Sequence, residues 1–100
     1  MAQVMESDQG VALPRPGWRD RAACVGTDPE SWVVPTGYAT VPSWQAAMCL
    51  RCPVLADCAA DAIDHGDVNV IRAATVCVVD KYATRRKLAS LLDALGAQAG

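Results

Sequence analysis

"CLRCPVLADC", residues 49–58, places three of the chain's five cysteines within ten positions, around a proline. Cys49 and Cys52 form a C-x-x-C pair, a spacing that lets two sulfurs reach one centre. Pro53 suits the first turn of a helix, and Gly66 suits the position just past its end, so the spacing predicts a helix over 53–65. The free N–H groups and positive dipole end of that helix lie beside Cys52 and favour a thiolate there. Cys58, nearly two turns along, can swing back toward the pair, and Cys24 can close the site from another element. One reading therefore makes Cys24, Cys49, Cys52 and Cys58 the four ligands of one metal centre.

Four thiolates suit either tetrahedral zinc or an iron–sulfur cluster, and spacing alone leaves the metal open. Two further readings stand beside these. A thiol–disulfide reductase would work through Cys49 and Cys52, but the chain shows neither the βαβ context nor a catalytic His or carboxylate beside the pair. Structural cysteines without metal are the plainest alternative. The single His65, next to Gly66, reads as an exposed residue at a helix end. Cys77, inside the apolar run "VCVV" (76–79), reads as a small buried hydrophobe rather than a ligand.

Composition gives the cluster a structural part as well. One hundred residues make one small domain, near the size where burial alone is marginally stabilising. The apolar fraction is 52%, yet much of it is Ala and Val and there is no Phe, so the core is thin and a metal staple would help. Five cysteines is an odd count, which a disulfide framework leaves unpaired. The opening "MAQVMESDQGVALPRPG" does not read as a secretory signal, and no later stretch approaches the ~18 apolar residues of a membrane span. The expected setting is cytoplasmic, with no membrane partner, where clustered thiols serve metal or redox chemistry.

Charge is uneven. Residues 1–75 hold five Arg against nine Asp or Glu, a net of −4, whereas residues 76–100 hold Lys81, Arg85, Arg86 and Lys87 against Asp80 and Asp93, a net of +2. That falls short of a strongly basic, independent DNA binder.

The rest of the chain divides by its prolines and glycines. Residues 1–16 read as a flexible tail. "WRDRAACVG" (18–26) reads as a short helix closed by Gly26, and residues 27–43 as a loop with one helical turn after Asp28. Residues 43–52 read as a helix with Ser43 as N-cap. Residues 67–75 read as a turn or short extended segment, and a last, modestly basic helix is expected over 76–95. Its apolar stripe is discontinuous: Val78, Val79 and Tyr82 point one way, and Leu88, Leu91, Leu92 and Leu95 another. Either that helix breaks near Thr84 or its halves pack on different surfaces. Residues 96–100 read as a second flexible tail. No strand is expected, so the fold class is all-α, a small bundle of about four short helices with long loops.

Three strings occur together: "GWRDRAAC" (17–24), "DPESWVVP" (28–35), and C-x-x-C-P-V-x-x-x-C from Cys49 to Cys58 followed by "AADAIDHG" (59–66). Together they resemble the WhiB-like family of actinobacterial and actinophage regulators, over residues 17–75. The resemblance implies a cluster-binding domain over those residues, with helices wrapped around an oxygen- and nitric-oxide-sensitive [4Fe–4S] cluster on Cys24, Cys49, Cys52 and Cys58. It also implies action in transcription by docking on region four, the C-terminal domain, of the primary sigma factor of RNA polymerase. Aromatic residues near the cluster would carry that contact, and the matching positions are Trp18 and Trp32, with Val33 beside them. Trp44 is expected in the core.

Two departures matter. Where such proteins carry a Gly-Val-Trp-Gly-Gly turn, this chain reads "VIRAA" (70–74): Arg72 replaces the Trp, and Ala73 and Ala74 replace glycines. Arg72 either supplies a polar sigma contact instead or faces water. The strongly basic tail of many members is reduced to Lys81, Arg85, Arg86 and Lys87, which allows only a few salt-dependent contacts to promoter DNA. The expected protein is a non-catalytic iron–sulfur regulator, with a phage-type antagonist of a host relative as a variant. The rivals are the reductase and a zinc-stapled interaction module.

Overall fold

The computed structural model describes residues 13–99; most of the expected tail over 1–16, and Gly100, lie outside them. Prolines and glycines cut the first part into short pieces. Trp18–Arg21 forms a 3-10 turn after Gly17, and Ala22 then leaves it in extended conformation. The helix expected over 18–26 is therefore one short turn followed by further turns. Val25 is 62% exposed, so this segment buries too little on one face to sustain a helix. A second 3-10 turn, Pro29–Trp32, follows Asp28, whose Oδ1 accepts the Glu30 N–H at 3.0 Å.

Helix α1 spans Ser43–Leu50. Ser43 is its first residue rather than its cap, because the Pro42 carbonyl already accepts the N–H groups of Gln45 and Ala46, both at 3.0 Å. A tight turn through Cys52 and Pro53 leads to α2, Leu55–His65, which begins two residues later than the proline suggests. Gly66 ends it in the left-handed region, φ 65, with its N–H on the Ala62 carbonyl at 3.0 Å.

The all-α expectation fails over residues 70–77. Strands β1, Val70–Arg72, and β2, Thr75–Cys77, pair antiparallel with Ile71 opposite Val76. Val70, Ile71, Thr75 and Val76 are β-branched and favour extended backbone. Ile71 and Val76 are buried together against Val34. The connecting residues Ala73 and Ala74 both have left-handed backbone, φ 51 and φ 60, as a two-residue hairpin turn of the primed type requires.

The last helix, α3, spans Lys81–Ala99, later at both ends than expected. Asp80 opens it, its Oδ1 accepting the N–H groups of Tyr82 and Ala83 at 3.0 and 3.1 Å. This resolves the broken stripe without a kink at Thr84. Val76 belongs to β2 and Val78 and Val79 precede the helix, so the core-facing row is Leu88, Leu91, Leu92 and Leu95. Thr84 accepts the Val78 N–H at 2.9 Å and ties the helix start to the hairpin.

Helix α3 lies along α2. Ala59 and Ala62 of α2 are small enough to let it approach, and Leu88, fully buried, fills the space with Leu55, Cys49 and Ala73. The two helices and the hairpin thus carry the CLRCPVLADC turn on one side of the core.

Candidate metal centre

Cys24 comes from the turns after Trp18–Arg21, Cys49 from the last turn of α1, Cys52 from the link before Pro53, and Cys58 from α2. All four line one cavity of about 270 Å³, together with Trp18, Arg19, Met48, Leu55, Arg72 and Ala73 among others. None of the four is in a disulfide. Cys49 is buried, Cys52 and Cys58 half-buried, and Cys24 exposed at the mouth. The Ala23 N–H points at the Cys52 sulfur at 3.4 Å, joining the first segment to the C-x-x-C turn.

Electrostatics sets the chemistry of this space. Burial pushes the Cys49 thiol up, the Ala74 backbone N–H opposes that, and the neighbouring thiols Cys58, Cys24 and Cys52 push it further. Cys24 is likewise raised, by burial first and then by Cys58. Thiolates gathered in one cavity repel each other, and only a bound cationic group makes the fully deprotonated set favourable. Cys77 differs. It is fully buried in β2, outside the cavity lining, and burial pushes its thiol up to about 11.

Among the described residues, no three Cys, His, Asp or Glu side chains converge closely enough to hold one metal ion. The four thiols surround a space instead of meeting at a point. A tetrahedral zinc with Zn–S of about 2.3 Å would draw its sulfurs to about 3.8 Å from each other. Four free thiols around one cavity form an all-sulfur donor set, of the kind an iron–sulfur cluster also takes.

An ion-pair network, invisible from spacing, backs the site. Asp61 of α2 is 5% exposed. Its Oδ2 accepts Arg19 Nη2 at 2.9 Å and Arg72 Nη2 at 2.7 Å, and its Oδ1 lies 3.2 Å from His65 Nδ1. Arg72 also pairs with Asp67. Its side chain is only 18% exposed, so it does not simply face water. Burial acts against its charge, but contact with Asp61 and Cys58 and the charge of Asp67 outweigh that and raise its pKa. One turn earlier on α2, Asp57 accepts the Arg15 backbone N–H at 2.7 Å and its Nη2 at 2.6 Å. Arg15 holds that carboxyl below the usual range against the opposing effect of burial.

The aromatic residues divide differently from expectation. Trp18 is 8% exposed, at the cavity wall under the Arg19 guanidinium, which lies 4.7 Å from the ring centroid. Trp32 is half-buried, its Nε1 donating to Thr27 Oγ1 at 2.9 Å, and that hydroxyl donates to the Cys24 carbonyl at 2.6 Å. Trp44, expected in the core, is 50% exposed and meets Trp32 edge to face at 5.8 Å. Val33 is exposed beside them and bridges to Val70. Lys81, Arg85, Arg86 and Lys87 are exposed on α3, with Lys81 and Arg85 beside a separate cavity of about 260 Å³ between α2 and α3.

The four cysteines thus line one cavity in a small, largely helical scaffold that carries a β-hairpin. The family model described as "Transcription factor WhiB" matches residues 18–88, and the chain belongs to that family. No curated protein matches the chain. The protein is thus a transcriptional regulator of a family that generally binds iron–sulfur clusters and works with the transcription machinery or DNA. The family is one of transcription factors, not enzymes, which sets the reductase reading aside. No helix among the described residues is long and apolar enough to cross a membrane.

Proposed function

We propose that this chain is a cytoplasmic iron–sulfur regulator that holds a [4Fe–4S] cluster on Cys24, Cys49, Cys52 and Cys58 and binds region four of the primary sigma factor of RNA polymerase. The observation that carries the reading is the placement of four free thiols, from separate segments, around one cavity. When bound, the cluster supplies a rigid cross-link and a centre that oxygen or nitric oxide can destroy. The chain's own residues do the rest. Cys24 anchors the segment that reaches Trp32 through Thr27, so the aromatic surface is held in place from the ligand side. Loss of that anchor would release Trp32 and Val33, which gives a switch without a separate sensor domain.

Trp18 is buried at the cavity wall and Arg72 is engaged by Asp61 and Asp67. Contact with sigma therefore falls mainly to Trp32, Val33 and the adjoining Trp44, flat and partly exposed apolar groups of the kind that anchor interfaces. Lys81, Arg85, Arg86 and Lys87 add at most a few phosphate contacts, so promoter choice comes chiefly through the polymerase. A phage-type antagonist that occupies sigma in place of a host relative fits the same surface.

The test is co-purification of the anaerobically prepared protein with sigma region four. The expected result is a stable complex, lost when Trp32 is changed to Ala and lost on exposure to nitric oxide. A folded, cluster-loaded protein that leaves sigma region four free would remove the proposed partner.

A further inference from the structure

Within the cysteine-lined cavity, the lining among the described residues includes two cations, Arg19 and Arg72, and no carboxylate. The carboxylates that pair with them, Asp61 and Asp67, stand behind. Arg19 is a weak source of field, since its side chain is 64% exposed and water screens it. Arg72 is different: its side chain is 18% exposed. One arm of its guanidinium is fixed by Asp61 at 2.7 Å and the other by Asp67. Strand β1 delivers it, paired opposite Thr75 of β2, so backbone and side chain are both held.

From this placement we infer that Arg72 is a positioning residue for the metal centre: a fixed, partly buried positive charge that offsets the negative charge of the thiolates and makes the bound cluster harder to lose and easier to reduce. The inference rests on the preceding reading that these thiols hold an iron–sulfur cluster. The physical reason is Coulombic. The thiolate set carries more negative charge than a four-iron core neutralises, and an added electron increases that excess. A cation in a low-dielectric wall stabilises the reduced state more than the oxidised one. The two carboxylates keep the guanidinium charged and aimed in spite of its burial, as second-sphere partners do in other metal sites.

The experiment compares the anaerobically purified protein with Arg72→Gln, Arg72→Lys and, as a control for net charge, Lys87→Gln. Two quantities are read: the midpoint potential, titrated with dithionite and mediators, and the rate at which an iron chelator bleaches the cluster. Arg72→Gln should shift the potential to more negative values and bleach about tenfold faster. Arg72→Lys should stay near the parent in both, and Lys87→Gln should not move either. A purely structural role would lower the melting temperature of Arg72→Gln but leave its potential unchanged, and that outcome overturns the inference. Should Arg72→Gln fail to fold, Arg72→Lys decides: the charge account requires a brown protein with an unshifted potential, and a colourless or shifted one contradicts it. A parent protein that binds no cluster would instead refute the preceding reading, and this inference with it.

Discussion

At the scale of single residues, the thiols divide by where the backbone puts them. Cys24, Cys49, Cys52 and Cys58 share a cavity, while Cys77 is sealed inside the hairpin with its thiol pushed up to about 11. Changing any one of the four to Ala should abolish the visible chromophore of anaerobically purified protein. Cys77→Ala should keep it; a colourless Cys77→Ala that remains folded would contradict the ligand set. The hairpin turn gives a second prediction. Ala74 sits at φ 60, where a Cβ is disfavoured and glycine is not. Ala74→Gly should therefore stabilise the protein by about 0.5–1 kcal/mol, seen as a higher melting temperature. The gathering of the cysteines was legible where it depends on local spacing, as in C-x-x-C-P. It was not legible for Arg72, whose partners Asp61 and Asp67 reach it only after the chain folds back. Nor does sequence separate Trp18 from Trp44, because one large side chain serves equally as a core plug or as exposed surface.

At the scale of elements, helix α3 packs through a row whose most buried member is Leu88. Leu88→Ala should cost about 2–5 kcal/mol in thermal or denaturant unfolding, whereas Lys87→Ala, one residue away and exposed, should stay within about 0.5 kcal/mol. The segment before the first 3-10 turn is pinned to α2 by Arg15 and Asp57. Arg15 depresses the Asp57 pKa, so this contribution is complete above the unfolded carboxyl value of about 3.9 and is lost as pH falls through the lower folded value. The melting temperature of the parent should drop more steeply below about pH 4 than that of Asp57→Asn, which starts lower and lacks this acid-sensitive part. Equal slopes would show that the pair does not form in solution. The helices ending at Leu50 and His65 were readable from proline, glycine and apolar spacing. The hairpin is not legible, because three-residue strands are too short for alternation to register. The start of α3 is hidden for the same reason: Val76, Val78 and Val79 continue an apolar run into a helix that only Asp80 opens.

At the scale of the whole molecule, a small chain with a thin core arranges its segments around a space lined by sulfur. Leu88 and the small residues Ala59 and Ala62 bind α2 to α3, Ile71 and Val76 bind the hairpin to Val34, and the first segment faces α1 and α2 across the cavity that Cys24, Cys49, Cys52 and Cys58 line. Trp18 is buried at this joint, but around Cys24 the segment has little apolar burial of its own, since Val25 and Cys24 are exposed. In this account a bound cluster supplies that joint and couples its own integrity to the position of Trp32. The most direct test is the absorption spectrum of protein purified without air, with iron, acid-labile sulfide and zinc assayed on the same sample. The account predicts a brown protein with four iron and four sulfide per chain, consistent with a four-iron cluster on four thiolates. A colourless protein carrying one zinc, or no metal at all, would contradict it.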